Sequence, residues 1–280
     1  MYQSKLRKKI QSIIKKVLIN LNLYDKEDKP AKKKKSEKSL SKLYKELNLY
    51  ISGRKGRFDI EEDFWEINKK CEIYTLTSIE RRYALYQSIK FVVKNKIPGD
   101  IVECGVLGGA SMKLCALALL QLNDTKRKLY LYDTYSGMSE PTERDSRFWD
   151  NKSAVDFLKD MKDNFSTEFS VPLEVVKKNL FSTGYPKENI IFVKGKVEDT
   201  IPGIIPEKIS ILRLDTDWYE STYHELVHLF PILAKHGILI IDDYGYWKGN
   251  KEATDKYLKE HKIKIFLQRI DEWGRLAIKL

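Results

Sequence analysis

Two short apolar runs, ISILRL at 209–214 and ILII at 238–241, each stop abruptly at acids. The first ends in Asp215-Thr216-Asp217 and the second in Asp242-Asp243. Between them, residues 221–235 carry apolar positions at helical spacing, closed by His236-Gly237. The pattern predicts strand, crossover helix, strand. A right-handed crossover brings both strand ends to one edge of a parallel sheet, where open α/β sheets bind ligands. Acids at such ends serve as turn formers and helix caps, or they converge on a shared site. Carboxylates that converge repel one another unless a proton or a cation intervenes. Hard oxygen ligands with no cysteine or histidine beside them suit Mg²⁺. Asp215, Asp242 and Asp243 are therefore candidate metal ligands. Asp217, the next acid along, is expected to cap the helix.

Upstream, residues 61–70 and 78–95 have helical spacing, the second with Tyr83, Leu85, Ile89, Val92 and Val93 near one face. Thr77 followed by Glu80 reads as a capping box, and Ile97-Pro98-Gly99 ends the helix. A strand at 101–104 runs into Gly105, Gly108 and Gly109, then into a helix from Ser111. Strand, glycine turn and helix is a layout that cradles nucleotides, but tight-turn geometry alone also explains it. The spacing is not that of a dinucleotide fingerprint, and no P-loop lysine is present. Glu103 sits inside the apolar strand just before the turn, where a carboxylate would meet a cationic amino group rather than a phosphate. A second strand at 128–132 ends at Asp133, a position from which an acid can hold a ribose diol.

The loop 134–150 is polar and carries Tyr135, Arg144, Arg147 and Trp149. Helical spacing follows at 153–165 and 172–180, then a strand at 190–193 that gives way to Glu198-Asp199-Thr200. Past Trp247 come a helix at 250–260 and two strands, 264–269 and 275–279, joined by Asp271-Glu272-Trp273-Gly274.

Composition changes the picture mainly at the N-terminus. Of the net charge of +11, residues 1–60 hold 18 Lys+Arg against 6 Asp+Glu, while the remaining chain is nearly neutral. The spacing predicts a basic amphipathic helix over residues 5–24, with Ile10, Ile13, Ile14, Val17, Leu18 and Leu21 near one face. Such a helix packs on a body or a second subunit, or lies on an anionic membrane surface. No base-reading motif accompanies it, so nucleic acid is not an expected partner. Residues 25–41 are charged and low in complexity, a linker. The expected organisation is a basic helical extension over 1–60 and a catalytic domain over 61–280. Three cysteines without metal-ligand spacing fit buried thiols in a reducing compartment. No apolar run approaches the ~20 residues of a membrane span. These features predict a cytoplasmic protein, and the membrane alternative for residues 5–24 would place it peripherally at the inner face.

The body thus reads as five βα-type units and a terminal β-hairpin, a doubly wound, Rossmann-like α/β sheet of about seven strands. That is the layout of the class I methyltransferase fold. Five blocks carry a closer likeness: TSIER at 77–81, IPGDIVECGV at 97–106, YDTYSGM at 132–138, LRLDTDWYEST at 212–222 and IIDDYG at 240–245. They resemble the macrocin O-methyltransferase family, across roughly residues 70–280, with 1–60 outside the likeness. The resemblance implies methylation of a sugar hydroxyl from S-adenosylmethionine with Mg²⁺. It implies that Glu103 and Gly105 form the S-adenosylmethionine turn and that Asp133 holds the ribose. Asp199 would lie near the adenine. Asp215, Asp242 and Asp243 would bind the metal, and Asp215 would also serve as the base. Leu107-Gly108 departs from the aromatic and basic residues common in the family at that point.

The expected chemistry is in-line methyl transfer, which needs alignment and removal of a proton from a weakly acidic alcohol. His224, His228 and His236 read as packing or surface residues rather than bases. Trp218, Tyr219, Tyr244, Tyr246 and Trp247 crowd the acid tips, as a sugar platform or as rim packing. The expected partner is a small-molecule or glycan acceptor with a free hydroxyl, and a homo-oligomer fits as well. Two rival readings stand beside this one. One is an O-methyltransferase of catechol-like aromatics. The other is a non-catalytic scaffold docking through its basic N-terminus.

Overall fold

The computed structural model describes residue 57 and residues 59–71, 75–165 and 170–280, with the side chains of 161–165 excepted. The predicted basic helix at 5–24 and the linker at 25–41 lie outside the described residues. Residues Glu61–Leu280 gather into one compact unit.

Seven strands form one mixed sheet: β1 (Asp100–Cys104), β2 (Leu129–Asp133), β3 (Ile190–Lys194), β4 (Ile209–Leu214), β5 (Leu233–Ile241), β6 (Gln268–Arg269) and β7 (Arg275–Ile278). Their order is β3-β2-β1-β4-β5-β7-β6. The first five run parallel, and β7 inserts antiparallel beside β5. Helices α1 (Glu62–Cys71), α2 (Ile79–Lys94), α3 (Ala110–Gln121), α4 (Ala154–Phe165), α5 (Leu173–Phe181), α6 (Val197–Thr200), α7 (Tyr219–Leu229) and α8 (Lys248–Glu260) accompany it. The strand order reverses between β1 and β4, so the switch point lies where the glycine turn meets Asp215. This is the doubly wound α/β fold with a terminal hairpin that the hydrophobic pattern predicts.

The central strands read as continuous apolar runs because helices cover both their faces. Val102, Cys104, Leu212, Leu214, Leu239 and Ile241 fill a core with Leu226, Leu229 and Tyr257 of α7 and α8. Three local expectations shift. The helix after β4 ends at Leu229 rather than near Lys235: Phe230 keeps helical backbone at φ −63° and ψ −37°, but Pro231 has no N–H with which to continue the helix. The freed residues from Leu233 join β5, where Leu233 pairs with Ile209. Of the predicted strand at 264–269, only Gln268–Arg269 finds a partner. The α2 cap is Ser78, whose Oγ accepts from the Arg81 N–H at 3.1 Å, one residue beyond the predicted Thr77.

Candidate active site

Parallel pairing continues one residue past each central strand. Gly105 N donates to Tyr132 O at 2.9 Å, Asp215 N to Cys104 O at 2.8 Å and Asp242 N to Leu214 O at 2.9 Å. Gly105, Asp215 and Asp242 thus stand side by side at one sheet edge. Gly105 has φ +81°, and a Cβ there would lie 2.0 Å from the Asp215 carbonyl oxygen. Only glycine lets the two tips close this far.

Side-chain period then sorts the acids. Glu103 is paired with Arg213, and Arg213 with Ile240. Stepping two residues from Arg213 and from Ile240 puts Asp215 and Asp242 on the same face as Glu103 and Arg213. The side chains meet as that register requires. Arg213 Nη1 donates to Glu103 Oε1 and, at 2.8 Å, to Asp215 Oδ2. Its Nη2 donates to Asp242 Oδ1 at 2.6 Å. The second Asp242 oxygen takes Arg81 Nη1 from α2. Arg81 Nε holds Asp271 Oδ2 at 2.9 Å, and Asp271 Oδ1 accepts from the Trp273 and Gly274 N–H groups. Ligand oxygens of Asp215, Asp242 and Asp243 lie within 4.8 Å of one another. Asp243 Oδ2 is buried and no donor reaches it.

Burial dominates the electrostatics. It pushes Glu103 up to about 7 against the pull of Arg213. It raises Asp215 well above the usual carboxylate range, with Arg213 opposing and Asp242 and Asp243 adding to the rise. Asp243 moves the same way through burial and the charges of Asp217 and Asp242. Asp217 is pushed up to about 8 by burial and by Asp215. Asp217 does not cap α7: its Oδ1 accepts from Trp247 Nε1 at 2.8 Å. The first N–H of that helix, at Tyr219, goes to Asp145 Oδ1 at 2.8 Å instead.

The β1–β2 side of the edge is built differently. Asp133 Oδ2 accepts from the Val106 and Leu107 N–H groups at 2.7 and 3.0 Å, and its Oδ1 from Tyr135 N at 2.6 Å. The carboxylate thereby fixes the glycine turn. Asn179 of α5 holds the Gly108 carbonyl at 3.0 Å, so the Leu107-Gly108 stretch is tied down from two distant segments. A cleft of ≈ 530 Å³ joins both sides. Glu103, Gly105, Asp133, Asp215, Asp242 and Asp243 all line it, whereas Asp199 is exposed and is not among the lining residues. Glu198, one position earlier, does line the cleft. Its Oε1 accepts from Ser221 at 2.7 Å and its Oε2 is buried without a partner.

Reading the sequence missed Arg81, Arg213 and Glu198. Arg213 had a signal, since a charge inside the apolar run ISILRL demands buried partners. Arg81 and Glu198 had none beyond their place in conspicuous blocks. Tyr246, Trp247 and Trp273 line the cleft, with Tyr246 and Trp273 in edge contact at 4.7 Å between centroids. His224 instead holds the Ile201 carbonyl at 2.9 Å, a packing role.

The family model for macrocin O-methyltransferases (TylF) matches residues 7–277. The chain belongs to that family. The match begins inside the basic segment, so the likeness does not stop near residue 70 as the five blocks alone suggest. The tetracenomycin-C rhamnosyl 4'-O-methyltransferase of Streptomyces olivaceus is 30% identical over 207 residues, 72% of this chain and 74% of that protein. The demethyldecarbamoylnovobiocin O-methyltransferase of Streptomyces niveus is 30% identical over 202 residues, 72% of this chain and 74% of that one. The solved structure of the O-methyltransferase NovP aligns with TM-score 0.63 at 28% identity, covering 74% of this chain and 82% of that one. Macrocin O-methyltransferase membership and the class I methyltransferase fold make this chain an O-methyltransferase. No described helix is long and apolar enough to cross a membrane.

Proposed function

We propose that this O-methyltransferase moves a methyl group from S-adenosylmethionine to a hydroxyl of a sugar or glycosylated acceptor, with a divalent cation at Asp215, Asp242 and Asp243. The observation that carries this reading is the convergence of those three acids in the cleft that also holds the glycine turn. Among the described residues, Glu103, Asp215, Asp217, Asp242 and Asp243 gather around two guanidinium groups, Arg81 and Arg213. That excess of negative charge suits a cationic donor and a divalent ion together. Asp243 Oδ2, buried without a donor, fits an oxygen ligand awaiting a cation. Asp242 is already held by both arginines, which leaves Asp215 and Asp243 with the freer oxygens.

S-adenosylmethionine supplies the methyl group on its sulfonium. A divalent ion at the acids would orient the acceptor hydroxyl and make it more acidic. The remaining work belongs to the chain. Glu103 receives the donor's ammonium from the floor of the cleft. Asp133 orders the Val106-Leu107 turn that the donor lies against, and its Oδ1 has a lone pair left for a ribose hydroxyl. The buried, unpartnered Glu198 Oε2 is a better acceptor for an adenine amino group than the exposed Asp199. Asp215 takes the acceptor proton, and its raised proton affinity favours that role. Tyr246 and Trp273 present ring faces and edges to a sugar. The relatives named for rhamnosyl and novobiocin substrates support a glycosylated acceptor over a catechol. The segment 5–24 remains a proposed contact for anionic membrane, tested by salt-reversible sedimentation with anionic vesicles.

A screen of glycosides with labelled S-adenosylmethionine, with and without Mg²⁺, tests the reading. Labelled product that requires Mg²⁺ is expected. A panel in which only catechols are methylated overturns the sugar assignment, and full turnover in EDTA overturns the cation assignment.

A further inference from the structure

The donor side and the cation side of the cleft meet on a single side chain. Arg213 is 3% exposed and lies in the middle of the sheet. Its Nη1 is shared between Glu103 and Asp215, and its Nη2 holds Asp242. Thr77 Oγ1 also accepts from Nη2, at 3.4 Å. Asp242 is fixed from its other side by Arg81. No other described side chain contacts both Glu103 and an acid of the Asp215–Asp242–Asp243 group by a hydrogen bond or an ion pair.

We infer that Arg213 is the positioning residue that joins the donor subsite to the cation subsite, so that each ligand senses the other through one guanidinium. The inference rests on the donor and cation reading given above. Its physical basis is the planar fork. Guanidinium presents its N–H groups in fixed directions, so a single arginine can align three carboxylates that would otherwise repel. Low dielectric around a buried group makes those pairings strong and leaves little water to replace them. When Asp215 turns an oxygen toward a cation, Nη1 is left more fully to Glu103. When Glu103 turns to a donor ammonium, Nη1 is left more fully to Asp215. The two binding events are therefore coupled, and by equal amounts in the two directions. Lysine keeps the charge but has no fork and cannot hold Glu103, Asp215 and Asp242 together.

The test uses full-length protein as wild type, Arg213→Lys, Glu103→Gln and the double variant. Calorimetry measures S-adenosylmethionine affinity, and electron paramagnetic resonance measures Mn²⁺ affinity. Arg213→Lys is expected to weaken both ligands about tenfold, the scale for losing a residue that orients metal ligands. Glu103→Gln is expected to weaken Mn²⁺ about fivefold in the wild-type background and less than about twofold beside Arg213→Lys, the non-additivity of a shared partner. Loss of only one affinity in Arg213→Lys overturns the inference, and so does an equal Glu103→Gln effect in both backgrounds. Should Arg213→Lys fail to fold by circular dichroism, Glu103→Gln alone decides: weakened Mn²⁺ binding supports the link and unchanged binding overturns it. A wild type that binds neither ligand overturns the donor and cation reading, and this inference with it.

Discussion

The two sides of the cleft are built by different means. On the proposed donor side, the tips of β1 and β2 are ordered through the backbone: a glycine with positive φ, and one carboxylate holding three backbone N–H groups. On the other side, the tips of β4 and β5 carry acids that are ordered by charge. Their partners come from β4, from α2 and, through Asp271, from the terminal hairpin. Backbone N–H groups held by one side chain are cheap to satisfy and tolerate little substitution of shape. Clustered acids are costly to assemble, and they store a preference for positive charge that the proposed donor and cation would satisfy.

The comparison breaks first at Asp215. Asp215→Asn keeps the shape and removes the charge, so turnover should fall by about 10²–10⁴-fold while S-adenosylmethionine affinity changes only by the few-fold coupling through Arg213. Chelation by EDTA should have the same split effect. Near wild-type turnover in either experiment, with an identified acceptor, would assign proton removal elsewhere. Asp217→Ala removes the acceptor of Trp247 Nε1 rather than a helix cap, so it should loosen Trp247 and raise the KM for the acceptor, since that carboxylate lines the cleft.

Gly105 sits at the seam between the two sides. Gly105→Ala should destabilise the fold by about 2–4 kcal/mol, since the added Cβ collides with the Asp215 carbonyl and φ is positive. Denaturant melts check this, and an unchanged midpoint would show that the tips can part. Asp133→Ala should weaken S-adenosylmethionine binding by about 1–3 kcal/mol through the loosened turn, and should leave Mn²⁺ affinity alone. Matched losses of both ligands would mean that the sides are not separable at that residue.

The smallest effect is on pH. The folded protein holds protons on Glu103 up to about 7 and on Asp217 up to about 8, above their ordinary values of 4.5 and 3.8. Groups raised in this way stabilise the fold fully below their unfolded pKa and lose that contribution as pH rises through the folded one. The melting temperature of the metal-free protein should therefore fall by a few degrees from pH 6 to pH 8.5, and Mg²⁺ should narrow the drop. Glu61, lowered to about 2, acts only in acid and does not oppose this trend. A melting temperature that rises across the window would contradict the buried-acid account.

Hydrophobic pattern alone carried much of the sheet. Strands buried on both faces read as apolar runs, and their abrupt ends at Asp133, Asp215 and Asp242-Asp243 marked the edge that carries the cleft. Local signals failed where a distant residue outvoted them. Tyr219 found its cap in Asp145 rather than in Asp217, and residues after Pro231 joined β5 because Ile209 offered a pairing partner. Glu198 and Asp199 are indistinguishable by composition, yet only the fold turns one into the cleft. The chemistry of acids at strand tips follows from their residue types and spacing, which the chain states directly. Which cation each acid meets depends on strand register and on α2 and the hairpin closing over the edge. Arg81 and Arg213 became partners of one carboxylate only because tertiary packing brought residues far apart in sequence into the same buried, weakly screened space.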